Sequence, residues 1–329
     1  MATNKKRIFV PHALAPSAIA LFEAREDIEI VRFDNLISPT AFNEMVENSS
    51  QLNAAVLGAT PFSAATVAVA KGLQVVARIG VGYDAVDVPA LTRVGVPLMT
   101  TGIANSPSVA EQAVFFMLQL SKRGTELNAL VQDGKWAGRM AVLPSDLLDK
   151  TVLIVGFGRI GTRTAKRCLA MEMNVLVYDP FVTPEAIKAA GCEPVTDLDA
   201  ALARADILTL HCPKTPQTAG MINASRLARM KPTAFLVNTA RGGIVDEAAL
   251  HAALVGKRLA GAGLDVFEKE PPPTDHPLLK LANVIVAPHI AGVTTESVER
   301  MGLQSALNVL SVFDGKPIAA NVINPEVLG

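Results

Sequence analysis

Short runs rich in β-branched residues alternate with longer Ala- and Leu-rich stretches along most of the chain, the spacing of strands and crossover helices on a parallel sheet. In the first hundred residues this pattern predicts strands at 7–10, 28–33, 54–57, 74–79 and 97–99, with helix-like stretches between the first four. Ser108-Val109-Ala110-Glu111 reads as a capping box heading one long helix from Val109 to about Leu130. Gly134, Gly138 and Pro144 break the following segment, 132–150, which predicts an irregular connection. Beyond it the strand pattern resumes at 151–155, 174–178, 207–211, 234–238, 261–266 and 284–287, enough for a doubly wound sheet. A helix-like stretch, 295–313, precedes a tail containing Pro and Asn. The fold class is α/β.

Length turns this pattern into an expectation of two domains, since 329 residues is about twice the usual ~150. With 50% of residues apolar and 19% charged, a disordered chain is excluded, and no apolar run approaches the roughly 20 residues of a membrane span. The net charge of −1 supplies no general field for nucleic acid or an anionic membrane, so any anionic ligand needs a local site. Cys168, Cys192 and Cys212 lie far apart without a C-x-x-C spacing, which supports neither a disulfide framework nor a cysteine-rich zinc site. A reducing, cytoplasmic setting is expected. Lys5, Lys6 and Arg7 lead into Ile8-Phe9-Val10, which Pro11 stops far short of a signal-peptide apolar region.

The first chemical signal is Gly156-Phe157-Gly158-Arg159-Ile160-Gly161, directly after an apolar strand and directly before a helix-like stretch. Glycines there permit a tight turn, close approach of backbone to a pyrophosphate and close helix packing, while the helix start offers unpaired N–H groups. The next strand ends in Asp179, placed where a carboxylate would accept hydrogen bonds from an adenine ribose. Pro180 and Phe181 offer no cation for a 2′-phosphate, so NAD is favoured over NADP.

Three further polar residues fall at or just after strand ends, where open α/β sheets bind ligands. Arg241, in Asn238-Thr239-Ala240-Arg241-Gly242-Gly243, suits a carboxylate and an adjacent carbonyl, although alone it also reads as a surface cation. His289 closes its strand and is the type of group that donates a proton at neutral pH. Glu270 is a candidate to orient that imidazole, if the fold brings the two together. A metal site from Asp265, His276 and His289 matches no ligand spacing, and no metal is expected.

These motifs together with 238–246 (NTARGGIVD), 263–271 (GLDVFEKEP), 288–292 (PHIAG), 78–84 (RIGVGYD) and 105–111 (NSPSVAE) resemble the D-isomer-specific 2-hydroxyacid dehydrogenases, the family containing D-3-phosphoglycerate dehydrogenase. The resemblance spans nearly the whole chain. It implies a flavodoxin-like α/β substrate domain from residues 1–101 and 291–329, a doubly wound parallel Rossmann domain from 102–290 that binds NAD, and a cleft between them. It further implies interconversion of a D-2-hydroxy acid and its 2-keto acid by hydride transfer. Carried over by position, Arg241 binds the substrate carboxylate and carbonyl, His289 handles the proton and Glu270 supports His289. Cofactor contacts fall on Gly156, Gly158, Arg159, Ile160, Gly161, Asp179, His211, Thr239, Ala240 and, at the nicotinamide carboxamide, Asp265. Backbone N–H groups at Val81 and Gly82 hold the substrate carboxylate, with Arg78 and Asn105 nearby. A homodimer through the helix after Ser108 and the adjoining irregular segment is also implied.

One departure bears on the substrate. Phosphoglycerate members typically carry arginine in the loop after the third strand, whereas Leu57-Gly58-Ala59-Thr60-Pro61-Phe62 has no cation. That puts 3-phosphoglycerate in doubt, unless Lys135 or Arg139 compensates, and leaves glyoxylate, hydroxypyruvate or another small 2-keto acid open. With the last residue at Gly329, the regulatory domain of some phosphoglycerate enzymes, and with it feedback control by serine, is not expected. Glu270 argues against the related formate dehydrogenases, which resemble the pattern with glutamine there. The alternative function is a dinucleotide-sensing protein like the family's C-terminal-binding corepressors.

Overall fold

The structure is a computed structural model and describes residues 5–329. Twelve strands are present among these residues: β1 (Lys6–Pro11), β2 (Ile28–Phe33), β3 (Ala54–Leu57), β4 (Val75–Arg78), β5 (Leu98–Met99), β6 (Thr151–Val155), β7 (Asn174–Tyr178), β8 (Glu193–Pro194), β9 (Ile207–Leu210), β10 (Phe235–Asn238), β11 (Gly261–Leu264) and β12 (Val284–Val286). The chain divides into two compact units, one of residues up to Asn105 joined by Val293–Gly329, the other Ser106–Gly292.

In the first unit five parallel strands run in the order β2-β1-β3-β4-β5, the 2-1-3-4-5 arrangement of flavodoxin-like sheets. Alternate residues of each strand enter different cores: Ile8, Val10, Val56 and Ala77 pack in one, Phe9, Leu57, Val76 and Leu98 in another. The helix Thr295–Phe313 supplies Ala306 and Val309 to the former, which explains why the end of the chain returns to this unit. Asn324 secures the tail by accepting from the Leu98 N–H at 2.8 Å and donating to Val96 O at 3.0 Å.

The second unit holds seven parallel strands in the order β12-β11-β10-β9-β6-β7-β8, a Rossmann sheet extended by one strand. Its order reverses between β6 and β9, which pair directly. The sequence pattern missed β8, since two residues, one of them Pro194, carry no periodicity. The single long helix is also corrected. Ser106–Lys122 and Gly124–Gln132 are separate helices, parted at Arg123 with φ 51°. Helix begins two residues before Ser108, so the expected capping box lies inside it, and Glu111 instead accepts from Arg167 Nη2 at 2.7 Å.

Candidate active site

At the switch point, β6 runs into Gly156, which has φ 95°, and the helix Gly161–Ala170 starts five residues later. A Cβ on Gly156 would lie 2.7 Å from the backbone of His211 and Cys212, and one on Gly161 would lie 2.0 Å from Gly156 O. Both positions therefore require glycine for close packing. A Cβ on Gly158 would meet nothing within 4 Å, so this glycine keeps an open face clear. Ile160 stands at the N-cap and makes no side-chain cap, whereas Thr183, Asp197, Asp246 and Thr294 each cap their helices. Thr162 N donates to Gly158 O at 3.1 Å and no side chain caps the helix start, which leaves its positive dipole end open to an anion.

Asp179, just past β7, binds this turn directly: Oδ2 accepts from Phe157 N at 2.6 Å and Oδ1 from Phe181 N at 2.8 Å. Each oxygen retains a second acceptor site for a ribose diol. His211 follows β9, with Nε2 3.0 Å from Thr209 Oγ1, and burial pushes its pKa down to about 3, so it is a neutral imidazole. Its Nδ1 and Thr239 Oγ1 are buried polar atoms without a hydrogen-bond partner among the described residues, which a bound ligand would satisfy. The open glycine face, the uncapped helix start, the strand-end acid and these orphaned atoms fit a dinucleotide. Arg159 lies exposed within the turn, and Ala240 is buried next to Thr239.

Three neighbouring strands, β10, β11 and β12, bring Arg241, Glu270 and His289 to one end of the sheet. Asn238 closes the first loop with its side chain, accepting from Ala240 N and donating to Arg241 O, both at 3.0 Å. Arg241 Nη1 donates to Ala240 O at 2.8 Å. Gly242 then lies against the second loop, where a Cβ would fall 1.7 Å from Phe267 O. Glu270 accepts from Phe267 N at 2.9 Å through Oε1, and its Oε2 is 2.6 Å from His289 Nδ1. With Glu270 an ionised acceptor, Nδ1 carries the proton and donates. Nε2 has no protein partner among the described residues, and the side chain is 49% exposed.

His289 adopts φ 52°, and Asp265 holds it there. The acid's carboxylate accepts from Ile290 N at 2.8 Å and Ala291 N at 2.9 Å, while its carbonyl accepts from His289 N at 2.8 Å. Burial pushes the Asp265 carboxyl above its usual range, and those two N–H donors oppose the shift. At 1% exposure it is committed to the loop, a task the sequence did not reveal.

In the first unit, Arg78 ends β4 and donates from Nε to Gly82 O at 3.1 Å, shaping the turn that presents Val81 and Gly82. Its Nη1 reaches Thr60 O at 3.5 Å, so a guanidinium from β4 lies at the loop 57–62, whose own sequence lacks a cation. Asn105 is buried with its Oδ1 unpartnered among the described residues. No group of three or more His, Cys, Asp or Glu among those residues is arranged to hold a metal; His276 pairs instead with Glu247.

A parallel sheet of this order, with a glycine turn and a strand-end acid at its switch point, defines a dinucleotide-binding domain. The family described as "D-isomer specific 2-hydroxyacid dehydrogenase, NAD binding domain" matches residues 114–291. D-3-phosphoglycerate dehydrogenase of Archaeoglobus fulgidus is 41% identical over 268 residues, 82% of this chain and 50% of that protein. Glyoxylate reductase of Korarchaeum cryptofilum is 36% identical over 98% of this chain and 97% of its own length. The crystal structure of Aquifex aeolicus D-lactate dehydrogenase with NAD and lactic acid superposes with TM-score 0.84 at 28% identity, covering 97% of this chain and 99% of that one. The chain belongs to the D-isomer specific 2-hydroxyacid dehydrogenase family, and its second unit carries that family's NAD-binding domain. It spans about half the length of the Archaeoglobus fulgidus phosphoglycerate dehydrogenase.

Proposed function

We propose that the protein is an NAD-dependent dehydrogenase that interconverts a D-2-hydroxy acid and its 2-keto acid. The observation that carries this reading is the His289–Glu270 pair, with Nδ1 engaged at 2.6 Å and Nε2 left for a ligand. NADH, when bound, supplies the hydride that reduces the keto carbon. Arg241 holds the substrate's carboxylate and carbonyl oxygen. His289, as imidazolium, passes its Nε2 proton to that oxygen and retains its Nδ1 proton, which stays hydrogen-bonded to Glu270. Oxidation runs the same proton back to Nε2. Asp265 serves by fixing the His289 loop, Asp179 by binding the adenine ribose and the turn 156–161 by binding the pyrophosphate.

The first unit is the substrate domain in this reading. Backbone N–H groups at Val81 and Gly82 hold the carboxylate, and Arg78 and Asn105 shape their surroundings. The neutral sequence of the loop 57–62 favours a small unphosphorylated acid such as glyoxylate or hydroxypyruvate, although the Arg78 guanidinium at Thr60 O leaves a phosphorylated one in the panel below. No relative named above is a corepressor, so that alternative gains no support. The three cysteines, none in a disulfide, support a reducing cytoplasmic setting, and the net charge of −1 supports a small-molecule partner over nucleic acid or a membrane surface.

A homodimer is proposed on the helix Gly124–Gln132 and the turn of helix Trp136–Ala141, neither of which buries a residue. Val131, Trp136, Met140 and Leu143 are each more than half exposed, an apolar surface that a second copy would cover. The activity is tested by NADH oxidation against glyoxylate, hydroxypyruvate, pyruvate and 3-phosphohydroxypyruvate, each repeated with NADPH. Turnover of at least one with NADH over NADPH is expected; none in a folded, NADH-binding protein would favour a sensing role.

A further inference from the structure

Glu270 is anchored through Oε1 to Phe267 N, and a second acid–imidazole pair grips the backbone N–H of the next residue, Glu268. Glu247 opens the helix Glu247–Val255, yet the helix does not use its carboxylate, because Asp246 is the cap and accepts from Ala249 N at 2.9 Å. Glu247 Oε1 instead accepts from Glu268 N at 2.6 Å, and Oε2 meets His276 Nε2 at 3.0 Å. The two side chains are only 13% and 16% exposed. The His276 ring also packs edge-on against Phe267, with centroids 5.7 Å apart. Phe267 N donates to Glu270 Oε1, and Gly242, one residue past Arg241, rests on Phe267 O. Glu247 and His276 therefore hold the junction from which Glu270 reaches His289. A nearly buried carboxylate is costly to desolvate unless its bonds are made, and these bonds go to the loop that carries the proton-handling pair.

We propose that Glu247, seated by His276, is a positioning residue for the Glu270–His289 pair, a role that rests on the dehydrogenase reading. It touches neither reacting atom; it keeps the backbone at 267 and 268 where Glu270 Oε2 stays on His289 Nδ1. The test uses the full-length protein. Glu247→Ala is expected to lower kcat roughly tenfold, the scale of losing one charge-assisted hydrogen bond, with a smaller change in KM and unchanged NADH affinity. Glu247→Gln restores most of the activity, since its carbonyl still accepts from Glu268 N. In a Glu270→Gln background, Glu247→Ala adds less than about twofold, because residues that act as a unit are not additive. Multiplying losses, or a kcat unchanged in Glu247→Ala, would overturn the role.

A readout in the cofactor-free protein separates this proposal from the activity itself. The downfield NMR resonance of the His289 Nδ1 proton, identified by its loss in His289→Gln, is expected to weaken or shift in Glu247→Ala and persist in Glu247→Gln. An unaltered resonance in Glu247→Ala refutes positioning even if the wild type turns over no 2-keto acid, a result that would refute only the dehydrogenase reading. Should Glu247→Ala fail to fold, His276→Gln carries the same comparison, and an unaltered kcat and resonance there would overturn the pair.

Discussion

His289 sits at φ 52°, a conformation that a non-glycine residue holds only where its surroundings impose it, at a cost of about 1–3 kcal/mol. The restraints are visible: Asp265 takes the three N–H groups of His289, Ile290 and Ala291, and Glu270 takes the ring. Replacing the imidazole should therefore damage proton transfer while leaving the cofactor turn intact. His289→Ala is expected to lose roughly 10²- to 10⁴-fold in kcat with NADH affinity nearly unchanged, measured by steady-state kinetics and fluorescence titration. Loss of NADH binding in the folded variant would show that the residue belongs to the cofactor site. Arg241, Glu270 and His289 were legible in the sequence because each follows a strand end. Glu247 and His276 were not, because their partners are set by loops that meet only in the folded chain. Asp265 reads in sequence as a candidate contact of the nicotinamide, but its burial and its bonds to the His289 loop were not legible.

Among the elements, the turn 156–161 separates two uses of glycine that look alike in sequence. Gly161 has no room for a Cβ, which would lie 2.0 Å from Gly156 O, whereas the face of Gly158 is open. Gly158→Ala is expected to leave stability within about 0.5 kcal/mol but weaken NADH binding about tenfold, a loss near 1.4 kcal/mol. Gly161→Ala should instead destabilise the fold itself by about 1–3 kcal/mol. Chemical denaturation and NADH titration of the two variants distinguish these effects; equal losses of stability would contradict the assignment of the open face. Strands were the most legible elements, since buried parallel strands are continuous apolar runs, as in Val152-Leu153-Ile154-Val155. The helix break at Arg123 was hidden because Gly124 interrupts a pattern that continues in register on both sides, and β8 because a two-residue edge strand has no period.

For the molecule as a whole, the alternation of strands and helices made both parallel sheets readable, and the return of Thr295–Phe313 to the first unit was implied only by family resemblance. The apolar surface at 131–143 belongs to this scale as well, since the proposed dimer would cover the exposed Trp136 and Met140. Sedimentation velocity is expected to give twice the chain mass of 34.6 kDa, and Trp136→Glu with Met140→Glu to give a folded monomer; a monomeric wild type would contradict the dimer. The proposed chemistry makes a sharper demand, because a proton donor and a hydride fixed on one site must deliver a single hand of product. The deciding measurement is the configuration of the 2-hydroxy acid formed from NADH and the best of hydroxypyruvate, pyruvate and 3-phosphohydroxypyruvate, read by chiral chromatography; glyoxylate is left out because glycolate has no stereocentre. The D acid, formed in step with NADH oxidation and abolished in His289→Ala, is the expected result; an L or racemic product, or one formed equally by His289→Ala, would contradict the assignment.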